Sequence, residues 1–194
     1  MRARAALGLH WINGEHHGEV LNCCLPARTP NRFVMNVAVR KMRTTEARRF
    51  LEIHHAAVRG IAAKDYAPAV VDAWASPLTE DAIERFLINR DQELRLIAEL
   101  NGEPVGIGAI VINNSELRAC YVLPSATRQG VGSALVAEIE RIAREHQLDH
   151  LQLLSSITAE PFYSALGYTV EGRGEHVFSP SLSMPAVKMR KRLS

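Results

Sequence analysis

Three cysteines in 194 residues, Cys23, Cys24 and Cys120, are too few and too poorly spaced for a disulfide framework or a zinc site. Adjacent Cys23 and Cys24 cannot easily pair with each other, and no CxxC occurs. This usage suits a reducing cytoplasm. Long apolar runs are lacking too: the longest, Pro104 to Ile112, is far short of a bilayer span. Near the N-terminus His10, Asn13, Glu15, His16 and His17 interrupt any apolar stretch, which argues against a signal peptide. A dominant charge is also missing. With 23 Lys+Arg against 21 Asp+Glu the net charge is +2, too little to recruit nucleic acid or an anionic membrane. The basic run Lys188 to Arg192 reads as a solvated strand end. These absences point to the cytoplasm, with no nucleic-acid partner, no membrane and no metal.

What is present is ordinary globular material, 47% hydrophobic and 23% charged, enough to bury a core in one domain. Residues 1–34 stand apart. They show no sustained period and carry His10, His16 and His17, too few ligands for a metal tract. They read as an extension, poorly ordered or outside the core, and translation from Met35 would explain the boundary equally well. The folded domain is expected over 35–194.

From Asn36 the pattern becomes regular. Asn36 to Met42 alternates like a strand. Ala47, Phe50, Leu51, His54 and Val58 follow at helical spacing up to about Arg59. A second helical region, broken by Pro68 and Pro77, runs through Tyr66–Trp74 and Thr79–Asn89. Leu94–Leu100 and Pro104–Ile112 are strand-like, with Asn101-Gly102 between them as a hairpin signal, and Glu116–Val122 makes a third strand of the meander. A long helix then carries Val131, Leu135, Ile139 and Ile142 as its apolar stripe and ends near His146, with Glu140 and Arg144 paired on its outer face. His150–Leu154, a short helix Thr158–Leu166, Tyr168–Val177 and Ala186–Leu193 complete the chain. The order implies an α/β (α+β) fold: a mixed, mostly antiparallel central sheet with helices on both faces.

The chemistry concentrates in Leu117 to Leu135, where a strand ends, a loop turns and a helix opens at Gly130 and Gly132. First-turn amides lack helical partners and the helix dipole adds partial positive charge, so glycines there make a cradle for phosphate oxygens. Arg128 adds a charge-assisted contact to such an anion. Other phosphate cradles do not match: GxxxxGK[ST] is absent, and Gly130-Val-Gly132 continues as Ser133, Ala134, Leu135 rather than as GxGxxG.

Thr127-Arg-Gln-Gly-Val-Gly132 resembles the pyrophosphate loop, Q/R-x-x-G-x-G/A, of the GCN5-related N-acetyltransferase (GNAT) superfamily. Tyr121-Val-Leu-Pro124 is similar to the strand end where that family holds the pantetheine arm. Ala159 to Tyr168 resembles its A-x-x-F/L-Y-x-x-x-G-F/Y helix, and Met184 to Met189 its last strand. The likeness spans roughly 36–193. It departs at Thr127, where Gln or Arg is usual, and at Ser156, where many members have Asn.

The resemblance implies acetyl-CoA as cosubstrate and the acyl-CoA N-acyltransferase fold. It implies Tyr121, Val122, Leu123, Arg128, Gln129, Gly130, Val131, Gly132, Ser133 and Ser156 as cofactor-binding positions. It further implies direct attack by a primary amine of a small molecule or peptide, with the backbone N–H of Val122 meeting the oxyanion and Tyr163 as general acid. His54, His55 and Glu99 stand as candidate bases, and Cys120 reads as a small packed hydrophobe. Residues 59–90, with Tyr66, Trp74, Asp65, Asp72, Glu80 and Asp81, are expected to shape the acceptor site. A non-catalytic acyl-CoA sensor is the alternative function, and a homodimer the candidate assembly.

Overall fold

Short stretches rich in apolar residues build the first four strands: β1 (Val37–Lys41), β2 (Leu94–Leu100), β3 (Glu103–Val111) and β4 (Glu116–Val122). The computed structural model describes residues 36–89 and 91–193, and the extension expected over 1–34 lies outside them. Asn101 and Gly102 take φ of 54° and 88°, the left-handed pair that a two-residue hairpin turn demands. In β2, Leu96, Ile97 and Ala98 are all fully buried, as they must be in a strand covered on both faces.

One cover comes from α1 (Ala47–Gly60), α2 (Pro68–Trp74) and α3 (Glu80–Ile88). Phe50 and Ile53 of α1 pack on Ile97 and Ile107, while Val58, Val70 and Val71 gather around Met184. The other cover is α4 (Val131–Glu145), whose Val131, Leu135, Ile139 and Ile142 pack on Leu96, Ala98 and Ile110. Then come β5 (His150–Ser156), α5 (Glu160–Ala165), β6 (Thr169–Ser179) and β7 (Leu182–Arg192). The seven strands lie in the order β1-β2-β3-β4-β5-β7-β6. Among the described residues, only β4 and β5 run parallel. The mixed, mostly antiparallel sheet with helices on both faces is therefore present.

Two sequence expectations need correction. Glu140 does not sit on an outer face: it is 7% exposed, and its carboxylate accepts from Lys191 Nζ at 2.7 Å and Arg144 at 3.4 Å. The pairing with Arg144 exists, but this flank of α4 is covered by β7, a tertiary contact that helical periodicity does not reveal. Strand β7 also starts at Leu182, ahead of the expected Ala186. Pro185 is tolerated because the pairing of β7 with β5 begins only at Ala186, so its missing N–H falls beyond that ladder.

The feature that positions the site is a failure of pairing. Strands β4 and β5 meet at Glu116–Gln152 alone, closed by Gln152 N–H to Ser115 C=O at 2.8 Å. On the other edge of β4 the register with β3 slips between Ala109 and Ile110, leaving Arg118 as an extra, bulged residue that bends the strand. Arg118 is anchored by Glu116 (2.6 and 2.8 Å) and Asp91 (2.8 Å).

Helix α4 lies close on β3 because Gly106 has no side chain. A Cβ there would stand 2.7 Å from Val131 Cγ1, 3.1 Å from Leu135 Cδ1 and 3.2 Å from Ala98 Cβ. Gly106→Ala is expected to destabilise the fold by about 1–3 kcal/mol through overpacking, read as a lower urea midpoint at unchanged slope.

Candidate active site

The chain between β4 and α4 is short and tightly bonded. Pro124 starts a single 3-10 turn, Pro124–Ala126, and Thr127 Oγ1 donates back to Pro124 C=O at 3.0 Å. Gln129 Nε2 donates to Ser125 C=O at 2.9 Å. Arg128 and Gly130 both turn left-handed, with φ of 61° and 81°. Gly130 suits that conformation without strain, and nothing lies within 4 Å of where its Cβ would be. The first helical bond of α4 is Ala134 N–H to Gly130 C=O at 2.9 Å. Amides before Ala134 thus have no helical carbonyl to reach, and they carry the positive end of a 15-residue helix dipole.

These amides border a cleft of 370 Å³ that runs from the α4 N-terminus to the parted edges of β4 and β5. Tyr121, Val122, Arg128, Gly130, Gly132, Ser133 and Ser156 all line it. Gly132 is a close-approach position, since a Cβ would meet the Phe162 ring at 3.1 Å. A second cleft, of 340 Å³, shares Trp74, Cys120, Tyr121, Ser156 and Ala159 with the first and adds Glu116, Arg118, Tyr163, His176 and Met184. The two clefts are the two sides of one slot.

Other expected cofactor positions stand back from the slot. Leu123 donates its N–H to Val105 C=O (2.8 Å) and accepts from Ala126 N–H (2.9 Å), so neither main-chain group is available. Val131 is buried beneath α4, leaving its first-turn amide, and Gln129 has its side chain tied into the loop. Val122 differs from its neighbour. Successive amides of a strand point to opposite edges, and Leu123 N–H points to β3. The Val122 N–H therefore points to the other edge, where β5 has moved away.

Tyr163 sits on α5 with its ring against Phe162 (5.1 Å) and Tyr168 (5.7 Å) and is 6% exposed. Burial, followed by the nearness of Cys120 and Tyr121, holds its pKa well above the usual tyrosine value, so the hydroxyl keeps its proton. Cys120 points toward α4, its Sγ 3.9 Å from Gly132 C=O. Burial pushes the thiol up to about 12, which makes it packing rather than a nucleophile.

The three candidate bases do not reach the slot. Glu99 is bound by Arg40 at 2.6 and 2.8 Å on β2. His55 accepts from Arg59 Nε at 3.1 Å. His54 packs edge-on against Tyr121 at 4.6 Å, and burial, then the neighbouring His55, lowers its pKa to about 4. Residues 59–90 do supply a wall: Trp74 Nε1 donates to the Tyr121 hydroxyl at 3.3 Å, and Tyr66 Oη accepts from Ile157 N–H at 2.8 Å. Their carboxylates are largely engaged, Asp72 with Arg59 (2.8 Å), Glu80 with Arg48, and Asp65 with Thr158 Oγ1 (2.7 Å). The sequence reading missed His176, which reaches the slot from β6; no spacing ties a residue of a late hairpin to one of β4.

A family model of the acetyltransferase (GNAT) domain matches residues 62–193. The chain belongs to the GNAT superfamily. Among solved structures, a GCN5-related N-acetyltransferase from Rhodopseudomonas palustris is 27% identical with a TM-score of 0.75, covering 82% of this chain and 98% of that one. The paia N-acetyltransferase of Thermoplasma acidophilum, solved in complex with coenzyme A, is 21% identical (TM-score 0.65; 81% and 99% covered). The yncA protein of Salmonella typhimurium, solved with acetyl-CoA, is 17% identical (TM-score 0.59; 81% and 94% covered). This GNAT protein is thus an acyltransferase of a fold shared with proteins that hold the coenzyme. Among the described residues, no helix is long and apolar enough to cross a membrane.

The neutral, half-buried His54 of this acetyltransferase carries a pH signature. Its folded pKa of about 4 lies below the ordinary histidine value of 6.5, so the unfolded chain binds the extra proton first as pH falls. Stability is full above pH 6.5 and is lost as pH drops toward 4, by about 3 kcal/mol. Urea unfolding of His54→Gln at pH 7, 5.5 and 4 should show a flatter fall over that window than the parent.

Proposed function

We propose that the protein is an acetyl-CoA-dependent N-acetyltransferase that acetylates a primary amine of a small molecule or peptide by direct attack. The observation that carries this reading is the slot itself: open helix amides at one end, a main-chain N–H of β4 along its edge and a protonated tyrosine in its wall. The residues present fit the coenzyme. The amides of Gly130 to Ser133 and Arg128 would hold its diphosphate, and Gly132 lets Phe162 pack close beside them, a contact that any added side chain would crowd. Tyr121, Val122 and Ser156 would border its pantetheine arm. When bound, the cofactor supplies an acyl group already activated as a thioester.

The chain's own part is positioning, charge and protons. Val122 N–H faces the gap between β4 and β5, where it can stabilise negative charge developing on an acyl oxygen. Tyr163 donates its proton to the departing sulfur. The free thiol Cys120 suits a reducing, cytoplasmic setting. No observation favours a non-catalytic sensor.

Two variants divide binding from turnover. Gly132→Val, which crowds Phe162 and the first-turn amides, should weaken acetyl-CoA binding at least about tenfold by calorimetry while the melting transition persists. Tyr163→Phe should bind the cofactor normally and lose about 10²-fold or more in kcat, followed as thiol release against a panel of alkyl diamines, arylalkylamines and N-terminal peptides. Normal turnover in Tyr163→Phe would remove Tyr163 as the acid.

A further inference from the structure

An acceptor amine must shed a proton to attack, and the groups that the sequence suggests for taking it lie outside the slot. The ionisable side chains that line the second cleft are Glu116, Arg118, Cys120, Tyr121, Tyr163 and His176. They can be separated by chemistry. Arg118 is a permanent cation. Burial pushes Cys120 and Tyr121 each up to about 12 and Tyr163 well above its usual value, so all three hold their protons at neutral pH. Both oxygens of Glu116 accept from Arg118, at 2.6 and 2.8 Å.

His176 is left. It lies on β6 opposite Met184 of β7, its ring edge-on to Phe178 at 4.8 Å. The residue is exposed to solvent, and among the described residues neither ring nitrogen has a hydrogen-bond partner. The charged groups about it are Glu116 and Arg118 from β4, already joined, and Glu175 on its own strand, which accepts from Ser183 Oγ at 2.9 Å. An imidazole with open ring nitrogens, one face on the slot and the other on water, can take a proton from a substrate and pass it to solvent.

We propose that His176 accepts the proton that the acceptor nitrogen loses as it is acetylated. The step rests on the N-acetyl transfer reading and balances as follows. Nitrogen, arriving as an ammonium, gives one proton to His176 and becomes nucleophilic. Its lone pair forms the N–C bond, and the C–S bond breaks with its electron pair leaving on sulfur. Tyr163 protonates that sulfur and is restored by the second proton from nitrogen, while His176 releases the first to water.

The test is the pH dependence of kcat and KM for His176→Gln, using the best amine of the panel above. The parent should show an ascending acid limb in kcat. The variant should lose that limb and about 10²-fold in kcat at neutral pH, keep its KM for the amine, and melt as the parent does. His176→Ala should regain activity with added free imidazole. An acceptor that is already uncharged at neutral pH should be far less sensitive to either change. An acid limb retained in His176→Gln, or a loss confined to KM, overturns the assignment while leaving N-acetyl transfer intact. If the parent binds acetyl-CoA but acetylates no amine of the panel, the functional reading fails and this step falls with it.

Discussion

The parting of β4 from β5 beyond Glu116 and Gln152 is the constraint on which the rest depends. Inside a sheet every main-chain donor and acceptor is expected to be paired. Where two neighbouring strands diverge, the facing groups lose their partners, and a gap bordered by unmatched amides becomes a place for a ligand that can supply them. The divergence has a covalent cause, since β4 carries one residue more than β3 can pair, at Arg118. That residue cannot slip back into register cheaply. Its guanidinium is gripped by Glu116 and Asp91, so the bulge is fixed by charge on the surface and opens a slot in the interior.

Helix α4 must then end at the mouth of this slot, and packing sees to it. Gly106 on β3 lets Val131, the first residue of α4, come within a side chain's thickness of the strand. Gly132, one residue on, lets Phe162 of α5 close the side of the cradle. The glycines therefore work in two layers. One sets how near the helix lies to the sheet, and the other sets how near Phe162 lies to the helix end. A substitution in the lower layer disturbs the upper one, because the same first turn belongs to both.

Much of this was legible because local signals and tertiary demands agree. Leu94–Leu100 and Glu116–Val122 have their observed bounds, since apolar β-formers end at turn residues that can adopt positive φ: Asn101 and Gly102 in one case, Ser115 in the other. The loop from Thr127 to Gly132 is readable since the left-handed turn at Gly130 and the close approach at Gly132 both favour glycine. What escaped depends on contacts across the sheet. The burial of Glu140 is decided by β7, some fifty residues later, and the partner of Glu99 is Arg40, across a strand pair. The bulge at Arg118 leaves no mark in alternation, because its side chain is polar and lies beside a polar cluster either way. His54, on the apolar stripe of α1, proved to be a half-buried neutral ring against Tyr121, as its place on that stripe would suggest.

On the proposed roles of Tyr163 and His176, the slot also solves a problem of opposing proton flows. A group that must donate at neutral pH is best buried, because desolvation keeps its proton on until a strong base forms beside it. A group that must accept and then discard a proton is best exposed, because water has to carry the proton off. Tyr163, deep on α5, and His176, on the solvent side of β6, meet these opposite demands at one cleft. Their order cannot be exchanged: an exposed donor would compete with water for the sulfur, and a buried acceptor would hold its proton against the next turnover. The hairpin β6–β7 is thus more than a sheet edge. Through His176 it brings a solvent-exposed imidazole to the cleft that Tyr163 also lines.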